Sequence, residues 1–251
     1  MRRIGVLAGL VSTVLMAGLP ACGPKSSQSS IVVLAAASLK PAFTQIGQQF
    51  KTEHPGTGIE FEFGGSSDLA IRLTQGATAD VFASADTAQM NTVATAGLLA
   101  GDPTSFTSNT LVIVTAAGNP KRVGSFADLA RPGLSVVICQ QPVPCGAATH
   151  RIEDSTGVHL DPVSEEPSVT DALNKVTTGQ ADAALVYVTD ARSAGNKVST
   201  VNFPEAAGAA NVYPIAVLKK APQPALAQQF VAMVTSEAGQ KVLAQSGFGK
   251  P

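Results

Sequence analysis

The stretch IVVLAAASLKPAF, residues 31–43, decides how the rest of the chain is read. An apolar run suited to a buried strand meets three alanines, a serine and then the opening of a helix. Ser38 is the expected N-cap and Pro41 an early helical residue, because proline needs no amide donor there and its fixed φ suits a helix. Such a junction turns free backbone N–H groups outward with a helix dipole behind them. It therefore favours an anion, and the Ser38 hydroxyl supplies one more donor. A second junction of this kind follows in FEFGGSSDL, residues 61–69, with Ser66 and Ser67 at its turn. Two such turns facing each other would form an oxyanion pocket.

Outward from this stretch, Leu39, Phe43, Ile46 and Phe50 recur at three- and four-residue steps, one apolar helix face ending near His54-Pro55-Gly56. Ile59, Phe61 and Phe63 alternate with Glu60 and Glu62 as a half-buried strand, and a helix carrying Leu69 and Leu73 runs to Gly76. A short buried strand over 81–83 leads to a helix capped by Ser84 or Asp86. Strand and helix alternate three times, which predicts an α/β fold with a largely parallel sheet.

Residues 109–116 then read as one apolar strand, and Gly118-Asn119-Pro120 is where the chain is expected to cross into a second lobe. The alternation restarts there, with helices over 125–130, 146–154 and 169–178 and strands over 134–139 and 183–188. A return strand over 212–218 precedes C-terminal helices at 225–235 and 238–246. The expected division is a discontinuous first lobe, 31–112 with 216–251, and a second lobe, 113–215. Ligands of open α/β sheets bind beyond the carboxyl ends of strands, so the cleft between lobes is the expected site.

Composition narrows the ligand. The 251 residues are 45% hydrophobic, enough for a substantial core. Net charge is −1, and no run of Lys or Arg occurs, which argues against nucleic acid. With no Trp and two Tyr there is little from which to build a stacking platform for sugars or bases.

The N-terminus has Arg2 and Arg3, an apolar run to about Leu19 and small residues after it, so residues 1–21 read as an export signal. LPAC looks like a lipobox, with Cys22 the lipidated residue and Pro20 a departure from the usual pattern. Residues 22–30 would tether the folded part to the outer face of the cell membrane. Cys139 and Cys145 remain, in an oxidising compartment, where they can close a disulfide around QQPVP. A metal site is the weaker alternative, because two cysteines supply too few ligands. Asp80 and Asp86 are expected to cap and brace loops rather than act as an acid/base pair, and His54, His150 and His159 to be solvent-exposed.

Seven segments in order, LAAASLKPAF, FEFGGSSDLAIRL, GATADVFASAD, PVPCGAAT, PSVTDAL, ALVYVTDA and EAGQKVLAQSGF, resemble the molybdate-binding proteins of ABC importers over residues 31–248. The resemblance implies a two-lobed periplasmic-binding-protein-like fold of type II, each lobe a mostly parallel sheet flanked by helices. It also implies that the oxygens of molybdate or tungstate meet the hydroxyls of Ser38, Ser66 and Tyr187. Backbone N–H groups at Ser38, Ser66, Cys145 and Val169 would complete the set. Cys145 stands where such proteins usually have alanine, and GGSS is less serine-rich than their version of that turn. The implied partners are an ABC permease and its ATPase, and the implied state is a monomer with no cofactor and no enzymatic activity.

The chemistry of that donor set is coherent. A fully ionised tetrahedral dianion offers acceptors only, whereas phosphate near neutral pH still carries a proton that a donor-only pocket leaves unpaired. A receptor for sulfate or another small oxyanion is the alternative within this class. A serine hydrolase is the remote one, lacking a G-x-S-x-G elbow or a histidine near a strand end. Without the resemblance Ser38 reads as a plain helix cap and Tyr187 as a core aromatic. Cys145 and Val169 have no side-chain signature at all.

Overall fold

The computed structural model describes residues 29–251. The expected signal sequence and the Cys22 lipidation site lie outside the described residues. The strands in chain order are β1 (Ser29–Ala36), β2 (Thr57–Gly64), β3 (Val81–Ala83), β4 (Thr104–Asn109) and β5 (Leu111–Ala116). They continue with β6 (Val136–Cys139), β7 (Ser164–Glu166), β8 (Ala183–Tyr187), β9 (Val198–Val201) and β10 (Asn211–Val217). The α-helices are α1 (Lys40–Glu53), α2 (Ser66–Thr74), α3 (Thr87–Thr95), α4 (Pro144–Thr156), α5 (Val169–Thr177), α6 (Val188–Ala194), α7 (Pro224–Thr235) and α8 (Glu237–Ser246). Among the described residues, no helix is long and apolar enough to cross a membrane.

Two five-stranded sheets form the two lobes, in the orders β2-β1-β3-β10-β4 and β7-β6-β8-β5-β9. Each is mixed. β10 runs against its neighbours in the first, and β5 against its neighbours in the second. The remaining pairings, β1 with β2 and β3 and β6 with β7 and β8, are parallel. The two reversed strands are those that enter a sheet from the other lobe. They start where the parallel strands finish, so the carboxyl ends of the parallel strands gather at the cleft.

The positions of the crossings correct the sequence reading. Of residues 109–116, Asn109 ends β4 and 111–116 form β5, so the chain changes sheets at Thr110, ahead of the 112/113 boundary and of Gly118-Asn119-Pro120. The return lies within 202–210, because all of β10 belongs to the first sheet and a 215/216 boundary would cut it. Ser29 and Ser30 are not tether but the start of β1, paired with Thr57 and Gly58. β4, β7 and β9 have no counterpart in the sequence reading. They are edge strands with sequences TSFTSN, SEE and VSTV, too polar or too short to show an apolar pattern.

Packing follows the predicted faces. Leu39, Phe43, Ile46 and Phe50 are fully buried. Phe50, Phe61 and Phe106 gather around the Phe43 and Phe230 pair at centroid separations of 5.7 to 6.2 Å. Each such pair adds about 0.5–1.5 kcal/mol beyond area burial. Asp80 braces the first lobe, accepting from the Val32 N–H at 2.8 Å and the Gln223 N–H at 2.7 Å. That ties β1 to the start of α7 and engages both carboxylate oxygens in bracing.

Candidate oxyanion site

Ser38, Ser66, Cys145, Val169 and Tyr187 line one small pocket between the lobes, with an empty volume of about 200 Å³. Each arrives there through the end of a strand. β1 leads into a 3₁₀ turn, Ala37–Leu39, that carries Ser38. Ser38 does not cap α1, whose N-cap is Leu39 without a side-chain bond. The tight turn draws the serine inward, and its Oγ lies 2.9 Å from the Tyr213 hydroxyl. Pro41 sits in the first turn of α1, as its missing N–H allows.

Ser66 is the first residue of α2, and its Oγ accepts from the Ala85 N–H at 2.9 Å. Val169 is the first residue of α5, whose cap Ser168 accepts from the Asp171 N–H. α4 begins at Pro144, two residues before the expected start, which places Cys145 in its first turn. First-turn N–H groups have no partner inside their own helix. Three helix N-termini, from both lobes, thus converge on the pocket with their partial positive charge.

Cys139 and Cys145 form a disulfide with Cα atoms 5.6 Å apart, linking the end of β6 to the start of α4. Neither thiol is free to hold a metal. The turn they close is tight: a Cβ on Gly146 would lie 2.3 Å from the Gln140 carbonyl oxygen.

Tyr187 ends β8 and is buried, its hydroxyl accepting from Asn211 Nδ2 at 2.7 Å. Burial pushes the phenols of Tyr187 and Tyr213 well above their ordinary range, so both keep their protons. Among the described residues lining the pocket none is His, Lys, Arg, Asp or Glu. Two carboxyls stand behind it. Burial raises Asp86, the cap of α3, despite its bond from the Gln89 N–H, and burial pushes Asp190 up to about 7.

The lobes touch across the cleft. Gln89 Nε2 donates to the Pro142 carbonyl at 3.1 Å, and Gly65 packs so closely on Pro167 that a Cβ would lie 2.2 Å from its carbonyl oxygen. Among the described residues no histidine serves a pocket serine: His54 is half-buried rather than exposed, its ring tilted against Phe50, and His159 is exposed. His150 is half-buried rather than exposed, held 2.6 Å from Glu153 on its own helix.

Tyr213, Asn211 and Asn109 escaped the sequence reading. Asn109 ends β4, Asn211 starts β10, and the two pair directly where the chain changes lobes. Their side chains reach Thr189 and Tyr187 in the second lobe. Asn211, a polar residue opening the apolar strand β10, is the one trace they leave in sequence.

The model of the family described as bacterial extracellular solute-binding protein matches residues 31–249. The chain belongs to that family. Among its relatives, this solute-binding protein is 67% identical to molybdate-binding protein ModA of Mycobacterium tuberculosis over 261 aligned residues, covering 100% of both chains. Two solved structures share its fold. The periplasmic molybdate-binding protein of Azotobacter vinelandii superposes with a TM-score of 0.77 at 23% identity, covering 88% of this chain and 99% of that one. The sulfate-binding protein SubI of Mycobacterium tuberculosis gives 0.76 at 21%, covering 88% and 86%. The two-lobed α/β architecture of the extracellular solute-binding proteins is therefore this chain's own.

Proposed function

We propose that this solute-binding protein captures molybdate, and tungstate through the same contacts, for delivery to an ABC permease and its ATPase. The observation that carries the reading is the pocket itself: hydroxyls and helix N-termini from both lobes, with no fixed charge in its lining. The name of the 67% identical relative supports it. A dianion with four acceptor oxygens suits such a lining, each bond to a charged oxygen contributing about 1.5–3 kcal/mol. Phosphate at neutral pH brings a proton with no acceptor to receive it, at a cost of about 1–3 kcal/mol.

Binding proceeds by lobe closure: the anion meets one lobe, the other closes over it, and the closed form is what the permease recognises. The anion is cargo, released unchanged, so no cofactor or catalytic residue enters. Lipidation at Cys22 would hold the monomeric receptor at the outer face of the membrane.

Sulfate is the second reading, favoured by the likeness to a sulfate-binding protein and by sulfate's full ionisation. Pocket size separates the two. Calorimetric titration of the purified protein with molybdate, tungstate, sulfate and phosphate tests both. Molybdate and tungstate are expected to bind with similar affinity, sulfate more weakly and phosphate weakest. Sulfate binding as tightly as molybdate would replace the first reading by the second.

A further inference from the structure

Resting on that reading of the pocket, we infer that Arg151 and Asn211, neither of which lines it, act as positioning residues that set its selectivity for fully ionised oxyanions. They do so by fixing which way the Tyr187 hydroxyl points. Arg151 lies on α4, and its Nη2 donates to Asn211 Oδ1 at 2.6 Å and to the Ala209 carbonyl at 3.1 Å. A guanidinium donates and never accepts, so the amide oxygen of Asn211 has to face it. The amide nitrogen then faces the other way, toward the Tyr187 hydroxyl at 2.7 Å and the Pro144 carbonyl at 3.2 Å. The Pro144 oxygen, itself an acceptor, opposes the flipped amide as well. Asn211 is buried at 3% exposure, with its oxygen and nitrogen both engaged.

The consequence falls on Tyr187. Its oxygen accepts from Asn211, so its own proton turns away from the amide, and the phenol stands on the pocket wall with the Tyr213 hydroxyl as its other neighbour. Ser66 is arranged alike, its oxygen accepting from the Ala85 N–H. At Ser66 the controlling donor is backbone and cannot be changed by substitution. At Tyr187 it is a side chain. A chain of donors running from a cation outside the pocket thus makes Tyr187 a donor inside it. A monoprotonated anion, which needs one acceptor, is refused.

Substituting Asn211→Asp replaces the donor by an acceptor of the same shape that still pairs with Arg151. Tyr187 then donates to the carboxylate and turns a lone pair to the pocket. Titration calorimetry at neutral pH with molybdate and with inorganic phosphate reads the result, in the wild-type and Tyr187→Phe backgrounds. Asn211→Asp is expected to lose about ten- to hundred-fold in molybdate affinity, the span of one hydrogen bond to a charged group. Its preference is expected to move toward phosphate.

In the Tyr187→Phe background the same substitution should change affinity by no more than about two-fold, the margin within which independent effects add. An unchanged molybdate-to-phosphate preference in Asn211→Asp, or an equal loss in both backgrounds, overturns the inference, since charge or packing alone would then explain the effect. If Asn211→Asp does not fold, Asn211→Leu takes its place: a loss confined to the background that retains Tyr187 supports the inference, and equal losses overturn it. Failure of the wild type to bind molybdate would instead strike the reading of the pocket and is seen in the first titration.

Discussion

Each serine and tyrosine at the pocket has a partner for its oxygen, which makes single hydroxyl deletions informative. Ser38→Ala and Ser66→Ala are each expected to weaken molybdate binding by about 1.5–3 kcal/mol, measured by calorimetry. Ser66→Ala also strands the buried Ala85 N–H, so it should lower the melting temperature as well. Asp190 makes a separate prediction about pH. It is buried, one of its oxygens has no partner, and burial pushes its carboxyl from 3.8 up to about 7. The folded chain therefore holds a proton that the unfolded chain has released. Its contribution to stability is most favourable below about pH 4, falls as pH rises to about 7, and is flat above that. Asp190→Asn should remove this slope, so its gain in melting temperature over the wild type should be larger at pH 8 than at pH 5. An equal gain at both would mean that the carboxyl titrates normally.

At the scale of elements, the start of α4 concentrates the most constraint. The disulfide, Pro144 and the close approach of Gly146 to the Gln140 carbonyl all fix where the Cys145 N–H points. Because the proposed contact is a main-chain N–H, the sulfur should be dispensable for binding. Replacing both Cys139 and Cys145 by Ala should lower stability by about 2–3 kcal/mol, as loop-closure entropy predicts for so short a loop. Molybdate affinity should change little in that variant, as followed by denaturant unfolding and calorimetry. Elements were legible in the sequence where burial imposed a period: the face of α1, the alternation in β2 and the run in β8. The strands β4, β7 and β9 were not: TSFTSN is almost wholly polar, and SEE and VSTV are too short to carry a period. Residues 109–116 read as one strand because Asn109, the last residue of β4, runs through Thr110 straight into the apolar β5, and only sheet membership divides them.

For the whole molecule, the lobes must meet. Gly65 has φ −62°, which alanine also adopts, so Gly65→Ala strains no backbone. Its Cβ would collide with the Pro167 carbonyl only when the lobes are together. The variant should melt like the wild type without ligand and gain much less on adding molybdate, by thermal-shift measurement. An equal gain would mean that the contact does not resist closure. Side-chain members of the pocket left a trace in sequence, as with Ser38, Ser66 and Tyr187. Its main-chain donors left none and the Asn109 and Asn211 pair little, because their roles come from where two lobes bring distant segments together.

The central claim is that neutral dipoles alone, converging from two lobes, hold a doubly charged oxyanion. A crystal structure with tungstate, located by its anomalous scattering, tests it most directly. Tungsten is expected in the interlobe pocket, with oxygens within hydrogen-bond distance of the Ser38, Ser66 and Tyr187 hydroxyls and the N–H groups of Cys145 and Val169. An anion held by a lysine or arginine, or sited away from that pocket, would contradict it.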